Sequence, residues 1–123
     1  LSRKISDEDG QPALAAWRTR KASREEIGTA VRYSLQLLAQ RYPGQAVEVR
    51  VPPFGAVQIG TGTVHRRGTP PAVVEMKTDT WLALAMGILT WEKAVESQVI
   101  SATGVGSDLT AYLPVFSPPQ SLS

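Results

Sequence analysis

Residues 72–103 read AVVEMKTDTWLALAMGILTWEKAVESQVISAT, and the fold follows from how this stretch is divided. Val73, Val74 and Met76 lie between Pro70-Pro71 and the cap signal Thr78-Asp79, so a short strand ends near Lys77. Either Thr78 or Asp79 can accept a hydrogen bond from an orphan amide of a first helical turn, which starts a helix there. Trp81, Leu84, Ala85 and Ile88 then recur at i, i+3, i+4 and i+7, one apolar stripe. Gly87 is the expected stop, because a residue without a Cβ enters the left-handed region freely. Thr90 opens a second short helix with Trp91, Ala94 and Val95 on its stripe, and Val99-Ile100 begin another strand. Two short amphipathic helices need a surface to cover, and the flanking strands supply a sheet.

Upstream, Ile27, Ala30, Val31, Ser34, Leu35 and Leu38 form the longest helical stripe, ended by Tyr42-Pro43-Gly44. Ser23 and Glu26 before it have capping-box spacing. A shorter helix is expected from about Asp9 to Thr19, with acids in its first turn and Pro12 tolerated there. The period then changes to two. Val47, Val49 and Val51 alternate with Glu48 and Arg50, a strand with one buried face. Further strands are expected over Phe54–Ile59 and Thr63–Arg67, joined by Gly60-Thr61-Gly62. A last short helix is capped by Ser107 or Asp108, carries Leu109, Tyr112 and Leu113, and stops at Pro114. The expected fold class is α+β: a five-stranded, mostly antiparallel sheet with helices packed on one face, the last strand being able to pair in parallel after its helical crossover. The 123 residues suit a single domain, with flexible ends at about 1–6 and 117–123.

Composition removes several kinds of chemistry. There are no cysteines, so disulfides and thiolate nucleophiles are out, and a reducing, cytoplasmic location is expected. No apolar run is long enough to span a bilayer, and no signal peptide is visible at Leu1. The only histidine, His65, lies in Thr63-Val-His-Arg-Arg-Gly68 without a second histidine to join it in a metal set. No nucleophile and acid are spaced to make it a general base, so no catalytic residue, metal or cofactor is expected. Gly60-Thr-Gly62 and Gly104-Val-Gly106 lack the third glycine of a dinucleotide loop and read as turns. Residues 1–50 carry nine Lys/Arg against six Asp/Glu, the excess falling in Arg18, Arg20, Lys21 and Arg24. That is too sparse, and too poor in interleaved aromatics, for nucleic acid, but it could bring the protein to an anionic membrane.

What remains is apolar surplus: Trp81, Leu82, Leu84, Met86, Ile88, Leu89 and Trp91 fall within one short stretch. Most must pack on the sheet, and part can line a cavity. The run Thr78 to Gly104, with Asp79, Leu84, Gly87, Leu89, Ala94 and Gly104 at the matching positions, resembles the C-terminal half of the sterol carrier protein domain. With Val47–Gln58 and His65–Pro71 it looks most like a bacterial branch of stand-alone sterol-carrier-like proteins, over about residues 5–115. One departure is visible: Ser97-Gln98 stands where many members have glycine between the second helix and the last strand. The resemblance implies an apolar tunnel between helices and sheet, and lipid or fatty-acyl binding and transfer without catalysis. The residues expected to line it are Leu35, Leu38, Val57, Ile59, Leu84, Ile88 and Trp91, with Leu113 or Phe116 at the rim. The alternative is a protein-interaction or accessory module with a filled core and no ligand.

Overall fold

The computed structural model describes residues 4–61 and 71–116. In chain order these form α1 (Asp7–Arg18), α2 (Arg24–Arg41), β1 (Val47–Val51), β2 (Gly55–Ile59), β3 (Ala72–Met76), α3 (Thr78–Ala85), α4 (Trp91–Glu96) and β4 (Ile100–Thr103), closed by a 3-10 turn at Thr110–Tyr112. The fold class is α+β. The sheet among the described residues has four strands in the order β2-β1-β3-β4, not five, and the strand expected over Thr63–Arg67 lies outside the described residues, as does His65. β1 pairs antiparallel with β2 and β3 with β4, while the central pair β1–β3 is parallel. The parallel pair is therefore not made by the last strand, as expected, but by the strand before the helix pair.

Period-two alternation decides which face is covered. Val47, Val49 and Val51 on β1, Ile59 on β2 and Ala72, Val74 and Met76 on β3 are buried, and register puts Val47 opposite both Ile59 and Ala72. Arg50, Gln58 and Glu75 are exposed on the other face, where Arg50 pairs with Glu48. The helices cover the apolar face. α2 is an 18-residue helix whose capping box forms as its spacing predicts: Ser23 Oγ accepts from Glu26 N–H, and Glu26 Oε1 accepts from Ser23 N–H. Ala30, Val31, Ser34, Leu35 and Leu38 are all buried, as the stripe requires. Tyr33, outside that stripe, is buried too, because α1 lies against that side of α2. Its hydroxyl donates to Asp7 and accepts from Gln11 Nε2 at 3.3 Å.

Ser34 is the one buried polar residue among those described, and its partner explains it. Trp81 on α3 is fully buried and donates its indole N–H to Ser34 Oγ at 2.8 Å. Ser34 Oγ lies 2.8 Å from the carbonyl of Ala30 and 2.9 Å from that of Val31, so it passes the bond on to the helix backbone. No buried side-chain nitrogen or oxygen among the described residues lacks a partner, as a stable interior demands.

The helix ends repeat one geometry. After α3, Gly87 (φ 73°) sends its N–H to Leu84 O and Ile88 sends its N–H to Ala83 O, a Schellman motif. The same two bonds close α1 through Arg20 and Lys21, and α4 through Gln98 and Val99. Arg20 (φ 61°) and Gln98 (φ 59°) thus take the left-handed position without being glycine. At the departure Ser97-Gln98 the chain therefore makes the same motif as after α3, with a strained non-glycine residue in the left-handed position.

Three local expectations are corrected. α3 begins after Lys77 with no side-chain cap; Asp79 instead accepts from the Trp17 indole N–H at 2.8 Å, tying α1 to α3. Val95 does not join Trp91 and Ala94 on a covered stripe, being 52% exposed. The last helix is only the single 3-10 turn, entered where Asp108 accepts from the Thr110 N–H and hydroxyl, bonds that hold its carboxyl below the usual carboxylate range.

Candidate functional site

A cleft of about 1190 Å³ runs along α2, with α1 and the segment before it on one side and β2 on the other. Its position follows from how α2 is buried. One face of α2 is spent on the sheet and α3, so the residues between that face and solvent become a groove floor: Thr29, Arg32, Gln36 and Ala39, spaced by three and four. At 1.5 Å per residue the lining from Ser23 to Gln40 spans roughly 25 Å. Ile5 and Pro12 form the α1 side, and Phe54 with Val57 the β2 side.

Two local arrangements fix the walls. Gln36 acts as a clip: its Oε1 accepts from Ile5 N–H at 2.7 Å and its Nε2 donates to Ile5 O at 2.8 Å, the two bonds a neighbouring strand would make. This holds residues 4–6 beside α2. On the other wall Phe54 lies over Gly28; a Cβ added there would come 2.9 Å from Phe54 Cδ1 and 3.1 Å from Arg32 Nη1. The absence of a side chain at Gly28 therefore lets the aromatic ring and the Arg32 guanidinium converge on one point. The guanidinium of Arg24 stands 5.4 Å from the centre of the same ring, within cation–π range.

The expected lining residues divide into separate places. Leu35 and Val57 do line the cleft. Leu38, Ile59 and Leu84 are at most 1% exposed and pack in the core with Trp81. Ile88 is 56% exposed, because it lies past the end of α3 rather than on its stripe. Trp91, Leu113 and Phe116 are half-buried against the core, and Phe116 stacks on Tyr33 at 6.0 Å between ring centres. The Val115 N–H and Phe116 N–H both donate to Ala85 O, and Arg41 donates to Val115 O, so this segment is tied across the ends of α2 and α3. Of the expected residues, this cleft brings together Leu35 and Val57.

Among the cleft residues that sequence reasoning passed over are Ile5, Pro12, Arg32, Gln36, Ala39 and Phe54. Apolar periodicity points at the core-facing stripe of α2, whereas the groove floor is the mixed stripe beside it. Phe54-Gly55 directly after Pro52-Pro53 was the available signal: an aromatic at a strand entrance, where the backbone has just been bent.

None of the curated proteins matches this chain. A family model described as bacterial SCP ortholog matches residues 23–115, a range that holds everything from the α2 cap to Val115 and leaves α1 outside. With that match over most of its length, and with the strand–helix–helix–strand unit of residues 72–103 in place, the chain belongs to the bacterial SCP ortholog family.

Proposed function

We propose that this protein binds and carries an apolar lipid or fatty-acyl ligand without catalysing a reaction, and that the ligand lies in the cleft between α1, α2 and β2. The observation that carries the reading is the cleft itself: about 1190 Å³, somewhat above the roughly 300–1,000 Å³ of small-ligand sites, with Ile5, Pro12, Leu35, Ala39, Phe54 and Val57 supplying apolar surface. Family membership supports the same class of ligand. Leu38, Ile59 and Leu84 belong to the buried core, so the proposed site uses Leu35 and Val57 of the expected lining instead. A cysteine-free chain of this kind suits the reducing cytoplasm. No helix among the described residues is long and apolar enough to cross a membrane, so loading from a bilayer would need contact from its surface. Arg18, Arg20, Lys21 and Arg24, all exposed around the α1–α2 connection, are the residues for that contact with anionic lipid.

The second reading is an interaction or accessory module with a filled core and no ligand, favoured by the full burial of Trp81, Ile59 and Leu82. Native mass spectrometry of freshly purified protein, followed by organic extraction, separates the two. A stoichiometric lipid or acyl species upholds carriage and identifies the ligand class. A clean apo mass that stays apo after incubation with lipid vesicles replaces it with the module.

A further inference from the structure

The charged residues of the cleft are not equivalent, and their difference points to the kind of lipid. Five charged side chains line it: Lys4, Asp9, Glu25, Glu26 and Arg32. Each of the acids has a place in the helices. Asp9 lies in the first turn of α1, and Glu25 and Glu26 in the first turn of α2, where carboxylates offset the positive end of the helix. Glu26 in addition closes the capping box. The cations have no such place. Arg32 is in the middle of α2, away from the C-terminal turn where a cation would be favoured, and Lys4 precedes α1. Among the described residues neither is in an ion pair, and neither side chain has a hydrogen-bond partner.

The Arg32 stem runs beside Gly55, and its guanidinium lies near Gly28 and the Phe54 ring, so an apolar surface and a cation adjoin. Gln36, one turn further along α2, holds Ile5 and with it Lys4 at the same cleft. A planar guanidinium beside an aromatic ring recognises a carboxylate or phosphate head, while Leu35, Ala39 and Val57 accept a hydrocarbon tail.

We propose that Arg32, assisted by Lys4, anchors the anionic head group of a single-chain amphiphile, which makes the cargo a fatty acid or a monoacyl phosphate ester and not a neutral lipid. This rests on the lipid-binding reading above. The two head groups share their chemistry with Arg32, and the choice of ligands tells them apart.

The test is equilibrium dialysis of the full chain against oleate, oleyl alcohol and 1-oleoyl lysophosphatidic acid below their micellar concentrations, with wild type, Arg32→Gln and Arg32→Lys. Circular dichroism confirms that each variant is folded. Wild type is expected to bind oleate about tenfold more tightly than oleyl alcohol, the difference one charge-assisted anchor supplies. Arg32→Gln should remove that preference and leave oleyl alcohol binding within about twofold of wild type, and Arg32→Lys should recover part of it. Tighter lysophosphatidic acid binding than oleate assigns a phosphate head, and weaker binding assigns a carboxylate. Equal binding of oleate and oleyl alcohol by wild type, or equal loss of both in Arg32→Gln, overturns the anchor and leaves the lipid reading standing. Folded wild type that binds none of the three overturns the lipid reading, and the anchor with it.

Discussion

The two long sides of α2 face different tasks. Toward the sheet and α3, Ala30, Val31, Ser34 and Leu38 are all but inaccessible, and the single polar atom there, Ser34 Oγ, has its partners. Toward the cleft, Thr29, Arg32, Gln36 and Gln40 remain partly or fully exposed, and the walls are held by a few hydrogen bonds at Ile5 and by the seat of Phe54 on Gly28. The first side is built by apolar burial, which is non-directional and sums over many contacts. The second is built from individual polar contacts, each of modest strength. The family range covers all of the packed side but not α1, so one wall of the cleft comes from outside it. A helix can thus serve as core and as groove floor at once, provided its two stripes carry different chemistry.

This contrast can be broken by substitution. The largest effect is expected at Trp81→Ala, which removes a fully buried aromatic and leaves Ser34 without its donor: about 3–5 kcal/mol lost in urea unfolding. A loss below about 1 kcal/mol would mean that the packed side is not the seat of stability. Tyr33, between α1 and α2, comes next. Burial, and then its hydrogen bond to Asp7, raise its hydroxyl above the ordinary value of 10.0. A raised folded value favours the neutral phenol, so its contribution is complete below the ordinary value and is lost as pH rises through the raised one. Tyr33→Phe should cost about 1 kcal/mol at neutral pH and flatten this alkaline loss; an unchanged alkaline profile would remove Tyr33 from the linkage.

On the cleft side, Gln36→Ala should cost about 1 kcal/mol or less and act locally. In hydrogen exchange the Ile5 amide should lose protection while amides of β1 and β3 keep theirs. Equal loss in both places would show that the clip and the core are one cooperative unit. The smallest change has the opposite sign. Gln98→Gly relieves a left-handed residue at the end of α4, away from both sides of α2, and should raise stability by about 0.5–1 kcal/mol. A loss in thermal unfolding would show that the Gln98 side chain contributes more than its backbone strain costs.

Much of this was legible in the residues. The alternation of Val47, Val49 and Val51 with Glu48 and Arg50 predicts a half-buried strand and gives one. Ser23 and Glu26 predict the cap, Thr90 caps α4 by accepting from Lys93 N–H, and Gly87 marks the end of α3. These are local signals, each a matter of a few neighbouring bonds. Val95 went the other way, and the burial of Tyr33 was not signalled by any stripe, because burial depends on what lies opposite: α1 covers Tyr33, and no described element covers Val95 to the same degree.

The candidate site was less legible, for the same reason. Leu38, Ile59 and Leu84 have the composition of a ligand pocket and the surroundings of a core, and sequence alone does not separate the two. The sequence by itself determined the order of the described helices and strands, the period of β1, the caps of α2 and α4 and the family, because these depend on spacing along the chain. Only the tertiary structure decided that the parallel pair is β1–β3, that Asp79 serves Trp17 rather than its own helix, and that Leu35 and Val57 meet Ile5 and Phe54 across a cleft. Those outcomes join residues tens of positions apart, and no local preference encodes which distant surface a side chain will face.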